Sequence, residues 1–246
     1  MSAVGRTLRS EWRASPSRHW LQWGVALTAG AFLIVSVLVQ IGAFSWLDQL
    51  GVDHLMPGLE PGSPSSHDAA GIWRPFKLDS AWWVIVLNLM SYPCSVLIST
   101  AIVVLAFIVE MRRGRLFAAV APAIAWIGAT GTEVVGKSII SRPSLYGSAH
   151  GERLHVSSFD AAYPSGHMTR GVIVAAILIM LWPRLELLVL GWVLLVGPSL
   201  VLQSAHTPLD IVGGALLGTS VALVYVAVAT SDRATSVPRW VRWPRA

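Results

Sequence analysis

Three short stretches of this chain carry the side-chain types that phosphoryl transfer uses. They are Lys137-Ser-Ile-Ile-Ser-Arg142-Pro143, Tyr163-Pro164-Ser165-Gly166-His167 and His206-Thr-Pro-Leu-Asp210. His206 and Asp210 are spaced i, i+4, so on a helical turn they share a face, where the carboxylate can fix the imidazole tautomer and support positive charge. One ring nitrogen is then held by the acid and the other is available to attack phosphorus. Taken alone, such a pair is more often a structural hydrogen bond.

The middle stretch has the form of a helix N-terminus. Pro, Ser and Gly stand directly before an apolar run, and free backbone N–H groups at such an end favour an anion. Ser165 can cap the helix and donate to a phosphoryl oxygen, while Gly166 lets the backbone approach a ligand closely. His167 follows into the same pocket, where it would protonate a leaving alkoxide or phosphate and then activate water. The simpler alternative is that Pro-Ser-Gly only starts a helix and His167 is an interfacial histidine. The first stretch supplies cations: Lys137 as a point charge and Arg142 as a bidentate fork.

The elements that must position these residues are membrane-spanning. Of 246 residues, 54% are hydrophobic and 13% charged, too little polar surface to cover a soluble domain. A crossing needs roughly 20 mostly apolar residues, and candidate spans run from Trp20 to Ile41, Trp82 to Val109, Leu116 to Val135, Met168 to Trp182, Leu185 to Leu202 and Ile211 to Ala229. The fold class expected is therefore all-α, a polytopic membrane protein with six transmembrane helices. The single cysteine, Cys94, excludes an intramolecular disulfide. The formal net charge of +5 comes from basic residues beside the apolar spans, which argues for anionic lipid and against nucleic acid as partner.

Arg6, Arg9, Arg13, Arg18, Arg112, Arg113, Arg115, Arg184, Arg233, Arg239, Arg242 and Arg245 then fall on one side. The positive-inside rule makes that side cytoplasmic and puts both termini there. The chain divides into a basic N-terminal segment (1–19), two spans with an outer loop at 45–80 (20–115), a core of four spans (116–230) and a basic tail (231–246). The outer loop at 45–80 has room for a short interfacial helix and carries no interpretable motif. The three chemical stretches all lie at outer span ends, the first and second framing a polar loop at 136–166. Ionisable groups at membrane depth are costly and mark function.

On these residues the chain resembles the type 2 phosphatidic acid phosphatase (PAP2) superfamily, over roughly residues 116–229. Pro164-Ser165-Gly166-His167 is the most specific piece, followed by His206-x-x-x-Asp210 with the glycine-rich helix at Gly213, Gly214 and Gly218. The resemblance implies a PAP2-like helical core and a lipid phosphatase of the bacterial cell (inner) membrane. Its active site would face outward, its intermediate would be a phosphohistidine, and its substrate would be a lipid phosphomonoester or polyprenyl diphosphate. It implies His206 as nucleophile, Asp210 as its orienting partner, His167 as acid, and Lys137, Arg142, Ser165 and Gly166 as phosphate binders. It implies no metal and no other cofactor, and the sequence has no clustered carboxylate or cysteine ligand set.

Two departures stand against the family pattern. Arg142-Pro143 follows Lys137 after four residues instead of six, where Ser144 stands, and Leu200 replaces the arginine that usually opens the third motif. Arg170, three residues after His167, either compensates as a phosphate ligand or pairs with Glu133, the other charge near that depth. These departures motivate an alternative function, a catalytically weak PAP2-like protein that binds phospholipid or acts as a membrane scaffold.

Overall fold

The computed structural model describes residues 18–56, 82–149 and 152–231. Among them eight α-helices and one hairpin follow in chain order: α1 (Arg18–Gln40), α2 (Ser45–Leu55), α3 (Trp82–Ser91), α4 (Val96–Arg112), α5 (Leu116–Ile139), β1 (Tyr146–Ala149), β2 (Glu152–His155), α6 (Gly166–Leu181), α7 (Glu186–Leu202) and α8 (Pro208–Ala229). The basic N-terminal segment up to Ser17, much of the first outer loop and the basic tail lie outside the described residues.

The surface is apolar and the interior holds polar groups. Leu97 is 73% and Leu187 85% exposed, whereas Ser99, Thr169 and Asp210 are fully buried. Water would not tolerate so continuous an apolar shell, and hydrocarbon does. Four helices are long and apolar enough to cross a bilayer: α1, α5, α7 and α8. The protein is therefore an integral membrane protein.

The expected six full spans are not met one for one. The run expected as one long span from Trp82 to Val109 is two helices, α3 and α4, bent by 48°. The cause is local: Tyr92-Pro93-Cys94 forms a 3-10 turn, and Ser95 restarts the helix by accepting the Ile98 N–H. Proline has no N–H for the helical ladder and its ring clashes with the preceding turn. Counted together, α3 and α4 make a fifth span. The sixth, α6, has 16 residues, about 24 Å of helix, which is less than the ~30 Å of hydrocarbon.

The all-α expectation also needs a small correction. The loop between α5 and α6 contains an antiparallel hairpin that pairs Tyr146 with His155 and Ala149 with Glu152. Helix α2, a short helix that follows the first span, is fastened to it. Gln49 donates to the Tyr146 carbonyl at 2.7 Å and accepts the Tyr146 N–H at 3.1 Å, while Arg153 reaches Asp53 at 3.2 Å.

Helix α8 packs against α1, α5 and α6. Its approach to α6 depends on glycine: a Cβ on Gly214 would collide with the Ser165 carbonyl, and one on Gly218 would sit 2.8 Å from the Thr169 carbonyl. Because successive spans alternate in direction, the ends of α5, α7 and the starts of α6 and α8 meet at one end of the bundle. At the opposite end Glu110 pairs with Arg113 at 2.8 Å and Arg115 at 3.1 Å, and Arg115 also donates to the Ala229 carbonyl at 3.1 Å.

Candidate active site

At the first of these ends the three chemical stretches converge. Ser165 is the N-cap of α6, its hydroxyl oxygen accepting the Met168 N–H at 3.3 Å and its own N–H donating to the Asp210 carbonyl at 3.0 Å. That second bond ties the start of α6 to the start of α8. Tyr163, just before, stacks on Phe32 with ring centroids 6.3 Å apart and meets the Ser36 hydroxyl at 3.1 Å, so α1 braces the turn. Burial pushes the Tyr163 phenol above its ordinary pKa and keeps it a neutral hydrogen-bonding group.

The rings of His167 and His206 come to 6.1 Å between centroids, tilted by 57°. His206 is 7% exposed and Asp210 is fully buried. Their pairing arises differently from the shared helix face expected from the spacing. His206 precedes the helix; Thr207 is the N-cap, and Asp210, at the third helical position, turns back so that Oδ2 accepts the Thr207 N–H at 2.9 Å. The returning carboxylate leaves Oδ2 3.5 Å from His206 Nδ1, a long contact that orients the ring without closing a hydrogen bond. The nitrogen on the far side of the ring, Nε2, is the one the acid does not engage.

Arg142 lies behind this pair, its side chain 3% exposed. It forms an ion pair with Asp210 Oδ1, donates to Thr207 Oγ1 at 2.8 Å, and reaches Asp48 Oδ2 at 3.2 Å. Asp48 belongs to α2, and its other oxygen accepts the Leu209 N–H at 2.9 Å, one of the unpaired donors in the first turn of α8. Burial raises the Asp48 carboxyl from 3.8 to about 6; Arg142 opposes that rise and the nearby Asp210 adds to it. Arg142, expected as a phosphate ligand, is thus held between two aspartates.

The other two expected cations share one partner. Lys137 Nζ donates to Glu133 Oε1 at 2.9 Å, and Arg170 Nη1 to Glu133 Oε2 at 2.7 Å. Of the two roles open to Arg170, the geometry gives the pairing with Glu133. Arg170 Nε also donates to the Cys94 carbonyl at 2.9 Å, which the break between α3 and α4 leaves without a helical donor. Leu200, where the family's arginine usually stands, is fully buried among apolar side chains. At Gly166, expected to let the backbone approach a ligand closely, the group that fills the space of the absent Cβ is the Glu133 carboxylate.

Sequence reasoning therefore missed Asp48 and Thr207 and saw Glu133 only as a possible partner of Arg170. Asp48 is 94 residues from Arg142, in a segment without a motif. In the loop between α5 and α6, Arg153 pairs with Asp53, and His155 meets Asp160 at 2.9 Å.

The arrangement brings two imidazoles together at a helix start, with a carboxylate beside one ring. A model of the PAP2 superfamily matches residues 6–233. The chain belongs to the PAP2 superfamily. The fold is similar to the crystal structure of a transmembrane PAP2-type phosphatidylglycerolphosphate phosphatase from Bacillus subtilis, with a TM-score of 0.58 and 15% identity, covering 83% of this chain and 94% of that one. Comparison with curated proteins returns no match.

Proposed function

We propose that the protein is a metal-independent lipid phosphatase that works through a phosphohistidine on His206. The observation that carries this reading is the approach of His167 to His206, with Asp210 behind the second ring. In the first step the Nε2 lone pair of His206 attacks phosphorus as the ester P–O bond breaks, and protonated His167 gives its proton to the departing oxygen. In the second, neutral His167 takes a proton from water as that oxygen attacks phosphorus and the P–N bond breaks, which releases phosphate and restores both rings. Asp210 and the Thr207 N–H keep the nucleophile's ring in one orientation throughout.

The substrate class follows from the surroundings. A site at the end of an apolar bundle suits a headgroup phosphate presented laterally by the bilayer, either a phosphomonoester or a polyprenyl diphosphate. The clustering of Arg112, Arg113 and Arg115 at the opposite end supports an outward-facing site with both termini in the cytoplasm of a bacterial cell.

The alternative, a weak or inactive phospholipid binder, draws on one observation: Lys137, Arg142 and Arg170 are each paired with a carboxylate. Release of inorganic phosphate in detergent, without divalent metal, separates the two readings. Phosphatidic acid, phosphatidylglycerol phosphate and a polyprenyl diphosphate are the panel. Turnover that is lost in His206→Ala and His167→Ala supports the enzyme. No turnover of any of them by the wild type, or turnover that survives His206→Ala, sinks it.

A further inference from the structure

Glu133 belongs to none of the motifs that define the site, yet its carboxylate sits where an anion is expected. It is 6% exposed, is gripped by Lys137 at 2.9 Å and by Arg170 at 2.7 Å, and fills the space over Gly166, one residue before His167. Lys137 and Gly166 are groups to which the family resemblance assigns phosphoryl oxygens, and Arg170 is the cation that would stand in for the arginine replaced by Leu200. A carboxylate and a phosphate cannot both occupy one such place, because like charges at close range repel strongly in a water-poor setting.

We propose that Glu133 is a resident anion of the phosphoryl subsite, which the phosphate of the substrate displaces on binding. This deepens the reading of the site as a phosphatase and rests on it. Without ligand, the carboxylate spares Arg170 the large penalty of a buried, unpaired guanidinium. When phosphate arrives, the same guanidinium and the Lys137 ammonium exchange one anion for another, and Glu133 withdraws along α5. Its position on α5 four residues before Lys137, whose side chain is one-third exposed, gives it a route toward the outer opening. Glu133 thereby sets how tightly the site holds phosphate, and so acts on KM.

A purely structural Glu133, one that holds Lys137 and Arg170 in place for the ligand, makes the opposite prediction, and binding of orthovanadate by the purified protein in detergent decides between them. Calorimetric titration reads affinity without turnover, so a protein that binds vanadate but releases no phosphate would sink the hydrolysis reading and leave this test intact. Glu133→Gln removes the charge and keeps the shape; vanadate should bind it about tenfold or more tightly than wild type. Glu133→Asp keeps the charge but draws it back from Gly166, and should also tighten binding; it serves alone if the glutamine variant does not fold. Unchanged or weaker vanadate binding in a folded variant, or no binding by wild type and variants alike, overturns the proposal.

Discussion

Replacing Asp48 by Asn should stabilise the protein at alkaline pH and do little in acid. The carboxyl is 2% exposed, accepts the Leu209 N–H, and lies beside Arg142 and within the field of Asp210. It titrates near 3.8 when solvated and near 6 in the folded protein. The folded state thus holds the proton more tightly than the unfolded state, so ionisation of Asp48 opposes folding. The penalty is absent below about pH 3.8, grows through the interval up to about 6, and is complete above it. A difference of about two pH units corresponds to about 3 kcal/mol. Asparagine has no charge to lose and keeps an oxygen for the Leu209 N–H. Arg142 retains Asp210.

The assay is the thermal midpoint in detergent, followed by intrinsic tryptophan fluorescence, for wild type and Asp48→Asn across this range. At about pH 8 the variant should melt some 6–12 °C higher, since 1 kcal/mol moves a chain of this size by roughly 2–4 °C. Near pH 4 the curves should almost coincide. A variant that melts lower than wild type at pH 8 would refute the reasoning, because it would mean that the Asp48 to Arg142 attraction outweighs the cost of burying the charge.

Other perturbations follow from the same geometry. Asp210→Asn leaves His206 without its orienting charge and Arg142 with one carboxylate fewer; turnover should fall by roughly a thousandfold or more. The thermal midpoint should drop as well, since Asp210 is the nearer of the two carboxylates on Arg142 and also accepts the Thr207 N–H in the first turn of α8. A variant with near wild-type turnover would remove Asp210 from the mechanism. Gly214→Ala pushes a methyl group into the Ser165 carbonyl and should force α6 and α8 apart, at a cost of about 1–3 kcal/mol by overpacking. A detergent melt that shows no loss would contradict the packing described for this pair.

Much of the fold was legible because hydrocarbon imposes a simple rule. Every spanning backbone group must be satisfied within its own helix, so long apolar runs such as 185–202 and 211–229 read directly as α7 and α8. Pro93 was visible too, but apolar residues on both sides outvoted it, and only the packed structure shows the chain bending there. The hairpin from Tyr146 to His155 has no alternating apolar pattern; it is held by Gln49 of α2, a partner that local sequence cannot announce.

The candidate site divides in the same way. His167, His206 and Asp210 lie in two short motifs whose spacing encodes their relation, although the return of Asp210 onto the Thr207 N–H, and not a common helix face, is what joins the last two. The cations were recognised as types, but their partners were not. Arg142 meets Asp48 and Asp210 across 94 and 68 residues, and Arg170 meets Glu133 across 37. Which carboxylate neutralises which cation depends on helix rotation and depth, and neither is written in the local pattern.

The central claim is that His206 takes the phosphoryl group while His167 serves the oxygens that leave and arrive. Rapid quenching during turnover of a lipid phosphate radiolabelled at phosphorus tests it most directly, with the captured label mapped to a peptide. The account predicts label that is stable in alkali, labile in acid, confined to the peptide containing His206, and missing from His206→Ala. Label on another side chain, or none at any time point in a protein that is turning over, would contradict it.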